Sequence, residues 1–580
     1  MKSTDRIWIF ICACLLLGWA ATPSVLQAQN IQVTSANPPA APQGTINLNV
    51  AIGGNGFKKG AKATFYLTGT TDPDGVTVNA TSFNSSSQLT ANINISDTAS
   101  IANFDVVVTN TDGRTGKGSQ LFSVTAKGTP VGCTTLGTPS TFTLVTTLNY
   151  VNSSGAPQYQ PHLGVTMQVR PVVLTAGGQS RTVLVAAVGS GNNNGKMEFF
   201  FLDPATGNVL DGTVIVGSQV QPHITVQFDP TATIVGRMMA AGDVNGDGIP
   251  DFVIGDFFTG SAIVFLGSEN ANGILSYSFI SISPPASNPG NYGSSVAMGR
   301  LDSSSAGDTA VVGAQGSGGQ KGKPGVVYVY RFNGSGFDLE STVNDPLNND
   351  VDLFGSSVAV GDVTGNGAAN LIVGAQGTTV NGASSAGTVF VFPSPLTSTF
   401  NYTLTDGISG DLLGFQVSSG MLSSSTATDV IATTSWRKSV TNPRALIFSG
   451  PITGNRTASS FDFLPYPGLA GGWATHFDTG DMTGDGRAEV LVGAPNATNS
   501  GCAYSIGAAH LYLSNPSNPS QPTLTVFQPP TVQSHYNGFG YSVGVVPFSF
   551  GNAELLLVGE NGFDLGGVTN AGQVYVYKKN

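Results

Sequence analysis

The sequence predicts an all-β chain, and three features of it do so. Gly is the most conspicuous residue, at 76 of 580, and Gly, Asn, Ser and Thr crowd between short Val-rich runs. Such residues turn a chain, while β-branched ones fit a pleated strand. Charged residues make up only 10% and hydrophobic ones 40%, enough for a sizeable core and too much for global disorder. Finally, the C-terminal three-quarters repeat: three elements recur in the same order seven times. At 580 residues, two or more structural units are expected.

At the N-terminus, Lys2 and Arg6 give a positive start, Ile7 to Ala21 an apolar stretch, and Ala28 a small residue before a cut. Residues 1–28 are therefore expected to be an export signal. The stretch is short for a retained anchor, and no later segment is expected to span a bilayer as a helix. The mature chain is expected outside the cytoplasm: secreted, extracellular or cell-surface, or periplasmic in a Gram-negative source. Cys12 and Cys14 leave with the signal, and Cys133 and Cys502 remain. An oxidising compartment permits a disulfide between them; two separate thiols are the alternative.

Residues 29–127 hold short β-rich runs between turn clusters, among them INLNVAI from Ile46, ATFYLTG from Ala63, LTANINI from Leu89 and FDVVVTN from Phe104. Runs of this length and spacing predict a small antiparallel sandwich. The stretches GNGFKKGAKATF and NTDGRTGKGSQLFSV resemble immunoglobulin-like domains of the IPT/TIG type, which implies a spacer or interaction module. Residues 128–140, small and polar with two prolines, are expected to be a linker.

Residues 141–580 carry the repeats. Each begins with a glycine and an alternating run: Gly164, Gly236, Gly293, Gly355, Gly414, Gly472 and Gly540. A short aliphatic strand follows, such as DFVIGD from Asp251 or EVLVGAP from Glu489, and then a strand of aromatic or aliphatic alternation, such as GVVYVYR from Gly325. A weaker fourth strand follows most of them, as in LSYSFISI from Leu275. Four antiparallel strands per repeat, repeated radially, predict a seven-bladed β-propeller. Each sheet would bury its faces only on its neighbours, so the ring must close. The last repeat ends at its third strand, GQVYVYKK, and TFTLVTTLNYV (residues 141–151) precedes the first start glycine. That N-terminal strand is expected to complete the seventh blade.

The most specific local signal is Asp243-Val-Asn245-Gly-Asp247-Gly-Ile249-Pro-Asp251. Side-chain oxygens at positions 1, 3, 5 and 9, with the position-7 carbonyl of Ile249, can wrap one Ca²⁺, a hard cation that takes 6–8 oxygens. It is not an EF-hand, because position 12 is Ile254 and the flanks read as strands. The sixth repeat offers the same pattern in Asp481, Thr483, Asp485, Arg487 (through its carbonyl) and Glu489. The fourth offers a weaker one in Asp362, Thr364, Asn366, Ala368 and Asn370, with one carboxylate to offset the dehydration of the ion. Two structural calcium sites are expected, with a third weak one; a tight Asp/Asn/Gly hairpin without metal is the alternative at each. Asp302, Asp308 and Asp429 read as lacking enough partners, and the first and seventh repeats lack the motif.

Phe354-Gly355, Phe539-Gly540 and Gly493-Ala494-Pro495 resemble the FG and GAP elements of the FG-GAP repeat family, the β-propeller of integrin α subunits. Elsewhere the second element degrades to GAQ, GE or ATT. The resemblance spans the whole repeat region and implies a propeller whose calcium loops join the first two strands of a blade.

A formal charge of −11 without any basic run argues against nucleic acid and anionic membranes as partners. The five histidines (His162, His223, His476, His510 and His535) are scattered, no nucleophile elbow appears, and Pro324 spoils the P-loop-like stretch at Gly322-Lys323. No catalytic residues are assigned. The expected function is recognition or adhesion, with a calcium-stabilised propeller binding an extracellular protein or glycan. The alternatives are a propeller enzyme acting on polysaccharide or lipid, and a structural envelope component. Alternating aromatics such as Tyr328, Tyr330, Phe390, Phe392, Tyr575 and Tyr577 are expected between sheets. Tyr292, Trp436, Trp473 and Tyr536 are loop candidates for stacking on sugars.

Overall fold

The computed structural model describes residues 30–43, 45, 48–96, 99–125, 137–149, 162–191, 195–216, 218–228, 238–256, 260–285, 290–302, 307–316, 324–397, 399–423, 428–435, 443–457, 463–464, 476–498, 505–515, 522–532, 536–564 and 570–580. The expected export signal, most of the linker, all four cysteines, Gly236, Gly472, Trp436, Trp473 and His535 lie outside them. The chain forms two compact units.

The first unit falls within Met1–Gln43, Asn47–Ile95 and Ala99–Thr125. It holds two four-stranded sheets. One is ordered Gln32–Asn37, Leu48–Asn55, Gln88–Ile95, Val76–Ser85; the other Ala40–Pro42, Thr115–Thr125, Asn103–Thr109, Lys62–Leu67. The strand Gln88–Ile95 shows why they pair face to face. Leu89, Ala91, Ile93 and Ile95 are buried while the alternate polar residues are not, the period of two that a half-buried strand requires. These residues share one core with Phe65, Phe104 and Phe122 of the other sheet.

The second unit contains, among the described residues, seven sheets of four antiparallel strands each, one of which carries a further short strand in parallel, and one two-stranded piece. The first strands of these sheets are Leu163–Ala176, Met238–Gly242, Tyr292–Gly299, Phe354–Gly361, Val417–Gly420, His476–Gly480 and Phe539–Val546. Second strands such as Asp251–Asp256, Asn370–Ala375 and Glu489–Ala494 are buried at every position, as expected of strands covered on both faces. In the seventh sheet the fourth strand is Phe142–Asn149, which pairs antiparallel with Gln573–Lys579.

Packing follows the same order. Of seven hydrophobic clusters, six are each shared by sheets consecutive in sequence, and the other joins the seventh to the first: Val546, Leu555 and Val574 meet Leu163, Met167 and Leu184. This is a propeller-like arrangement. Arg170 of the first sheet lies within electrostatic reach of Asp308 in the third and Asp478 in the sixth, so these sheets face a common space.

The repeated motif is an interlock between sheets. Gly355 has φ +82°, a left-handed conformation that favours glycine, and turns its carbonyl toward the preceding sheet. There a Cβ on Gly313 would stand 2.3 Å from that carbonyl oxygen. The same juxtaposition pairs Gly255 with Gly293, Gly374 with Gly414, Gly493 with Gly540, and Gly559 with Gly164, at 2.0–2.7 Å. Ser295, Ser357 and Ser542 each donate their hydroxyl to the next sheet's start-glycine carbonyl, at 2.9, 2.8 and 2.6 Å. Among the described residues, the one before a start glycine fills the space between sheets: Phe354, Leu413, Phe539 and Leu163 are all fully buried. Tyr292 holds that place in the third sheet, fully buried with its hydroxyl donating to the Tyr330 hydroxyl at 2.9 Å. It is therefore a packing residue and not a loop aromatic, because the motif sets it one position before Gly293.

Candidate metal loops and an axial cavity

Each candidate loop joins the first strand of a sheet to the second. In the second sheet, Asp243 accepts N–H groups from Gly246, Asp247 and Gly248 at 2.7–3.1 Å, which winds the loop around its first carboxylate. Asn245 accepts from the Asp247 N–H and donates its amide to the Asp247 carboxylate. Fully buried Asp251 accepts the Val244 and Gly267 N–H groups, both at 2.9 Å. Burial, added to by the charges of Asp247 and Asp243, pushes the Asp251 carboxyl up to about 7. Three carboxylates thus repel one another, and no described Lys or Arg pairs with them. The donor set suits a hard cation. Among the described residues, no three acidic, His or Cys side chains are already drawn together around a metal position.

The sixth-sheet loop is built alike. Asp481 accepts from Gly484 and Gly486, and Asp485 from Arg487. The longer Glu489 reaches the places that Asp251 reaches: the Met482 N–H at 2.7 Å, and Ser514 through its N–H at 3.3 Å and hydroxyl at 2.9 Å. Burial raises the Glu489 carboxyl above its ordinary range. The Arg487 side chain turns away to the carbonyls of Leu422 and Ser423 in the fifth sheet. Thr483 donates its hydroxyl to Glu489.

In the fourth-sheet loop, Asp362 accepts from Gly365, Asn366 and Gly367, and Asn366 from Ala368. Asn370 replaces the last carboxylate. Its oxygen accepts from Val363 and Thr364, and its amide donates to the Phe392 carbonyl at 3.2 Å. Hydrogen bonds close this loop, and the Asp362 carboxylate is the one negative charge in it.

The last position of the loop has a role that spacing did not reveal. Asp251, Asn370, Asp429 and Glu489 all accept the N–H of the loop's second residue, whatever the rest of the loop contains. Asp429 also takes the Ser423 N–H and hydroxyl and the Gly450 N–H. Asp308, likewise, accepts the Asp243 N–H at 2.9 Å across the sheet boundary and donates its own N–H to the Asp243 carbonyl at 2.7 Å. Phe548 of the seventh sheet and Ala488 of the sixth donate in the same way to Asp481 and Met421. Each of these loops is thus latched by the following sheet. The first sheet has no such loop because Gly177 and Gly178, at φ +58° and +75°, make a two-residue hairpin turn.

At the opposite ends of these strands lies a cavity of about 700 Å³. Its lining comes from six sheets and includes Gln315, Gln376, Gln416, Asn496, Tyr536 and Tyr541. Among the described residues the lining contains no Asp, Glu, Lys or Arg, and His476 is its one basic side chain. Gln315 and Gln376 directly follow Ala314 and Ala375, so they occupy the position of Pro495 in the complete GAP element. Tyr536 is 36% exposed.

The FG-GAP repeat family description matches residues 473–511, the stretch from the first strand of the sixth sheet through its loop and into the third strand. No curated protein matches the chain. Among the described residues, no helix is long and apolar enough to cross a membrane. The chain is an all-β, propeller-like protein that carries an FG-GAP repeat.

Proposed function

We propose that this chain is a secreted or cell-surface recognition protein, which binds an extracellular protein or glycan rather than catalysing a reaction. Its repeat region is read as a seven-bladed FG-GAP propeller stabilised by Ca²⁺, and residues 29–127 as an immunoglobulin-like spacer or second contact. FG-GAP repeats occur in integrin-like adhesion and recognition proteins, which supports the reading. The observation that carries it is the closed sequence of core clusters from the first sheet to the seventh and back. Such a ring offers a rigid, multi-loop face, the usual basis for binding.

Calcium is proposed at two loops, with Asp243, Asn245, Asp247, Asp251 and the Ile249 carbonyl in one. Asp481, Thr483, Asp485, Glu489 and the Arg487 carbonyl form the other. The fourth-sheet loop, closed by its own hydrogen bonds, is read as binding the ion weakly. The role is structural: each loop's first residue is also gripped by the next sheet through Asp308 or Phe548, so an ion there tightens a junction of the ring.

Calcium at a hundred times its Kd stabilises a folded protein by about 2.7 kcal/mol. Adding chelator should therefore lower the melting temperature of the full chain. The combined Asp243→Ala and Asp481→Ala variant should melt low and ignore chelator. An identical melt with and without chelator in the unaltered protein would remove calcium from the account. Loss of all surface or matrix binding on deleting residues 141–580 is the expected result for the recognition role.

A further inference from the structure

We infer that the axial cavity is the ligand site and that its ligand is an uncharged, hydroxyl-rich molecule: a neutral sugar unit of a glycan. The inference rests on the recognition reading above and adds to it a place and a chemistry. The volume of about 700 Å³ lies within the range of small-molecule sites. What lines it decides the class. A carboxylate or phosphate ligand demands Arg or Lys, and a cation demands carboxylates; among the described residues the lining has neither. The described lining is uncharged apart from His476, although the chain as a whole carries −11.

In place of charge the cavity gathers carboxamides. Gln315, Gln376, Gln416 and Asn496 come from the third, fourth, fifth and sixth sheets. A carboxamide both donates and accepts, which matches a hydroxyl that does the same. Tyr536 and Tyr541 add aromatic faces with a polar tip, suited to the apolar side of a pyranose ring. Two of the glutamines stand where the complete repeat motif has proline. From sequence alone that change reads as decay of the motif, yet both lie on the cavity wall. Proline offers no side-chain polar group, so the exchange converts a structural position into a hydrogen-bonding one. The calcium-type loops are at the other ends of the strands, so the two sites can be altered separately.

The test is a printed array of neutral oligosaccharides (glucose-, galactose-, mannose- and N-acetylglucosamine-based), acidic glycans and matrix proteins, probed with the full chain. Gln315→Ala with Gln376→Ala forms one variant and Tyr536→Ala a second, each checked by thermal melting. The expected result is retention of one or more neutral glycans, weakened at least tenfold in both variants at unchanged melting temperature. Neutral-glycan binding that is untouched by either variant would overturn the location while leaving recognition standing. Capture of acidic glycans or proteins alone would overturn the ligand class and leave recognition standing. Capture of nothing would overturn both.

Discussion

At the scale of single residues, the same side-chain type does different work according to what its lone pairs already hold. Asp251 and Asp429 are both fully buried acceptors of loop N–H groups, yet only Asp251 has two further carboxylates beside it. Spacing exposed the triad around Asp251 but could not show that its last member clamps the hairpin, because the donors are backbone groups present in any sequence. Asp429 and Asp308 read as lacking enough partners for a metal loop, and for the same reason spacing did not show the hydrogen bonds that engage both. Tyr292 was misread because the F position of the motif tolerates other apolar residues, and only the following glycine marks it. Glycine also supplies a direct prediction. Gly313→Ala drives a methyl against the Gly355 carbonyl, backbone that cannot give way cheaply, and should cost about 2 kcal/mol or more. Gly367→Ala, in open space at φ +81°, should cost about 1 kcal/mol from conformation alone. Equal losses on chemical denaturation would mean that the interlock is not close-packed.

At the scale of elements, alternation and turn chemistry made the strands legible, and buried titratable groups were what the pattern hid. His510 lies fully buried in the strand Ala508–Leu513, and burial pushes its pKa down to about 4. Its unfolded value near 6.5 is higher, so the unfolded chain gains the proton first. The stability that neutral His510 allows is present above about 6.5 and is lost as pH falls toward 4. His223 does the opposite. Burial opposes its charge, but Asp211 at 3.1 Å and Glu198 at 2.8 Å outweigh this and hold it up at about 9. Its contribution is complete below about 6.5 and is lost as pH rises through about 9. Melting temperature against pH should therefore fall on both sides of neutrality. His510→Leu should flatten the acid limb alone and His223→Leu the alkaline limb alone. A profile that neither substitution changes would refute both assignments.

At the scale of the whole molecule, the repeats announced an all-β, propeller-like protein, and the closing strand could be placed because the last repeat lacked a fourth element. The cavity was not legible, since its wall is drawn from six sheets whose positions only the fold brings together. Closure itself is testable at Leu148, 1% exposed between the seventh and first sheets. Leu148→Asp places an unpaired charge there and should cost several kcal/mol, with loss of the ring's cooperative unfolding. A sharp, unshifted denaturation curve would count against closure by this strand.

Phe142–Asn149 also imposes an order of events. Thr143 bonds to Asn580 across 437 positions, so a ribosome releases the first half of this junction long before the second exists. Until the segment that carries Asn580 has been made, the seam stays open with its unsatisfied strand edges available to strangers. The join must therefore follow the synthesis of every sheet between its two strands, slowed by the entropy of bringing such distant segments together, and until then nascent copies are prone to pair with each other.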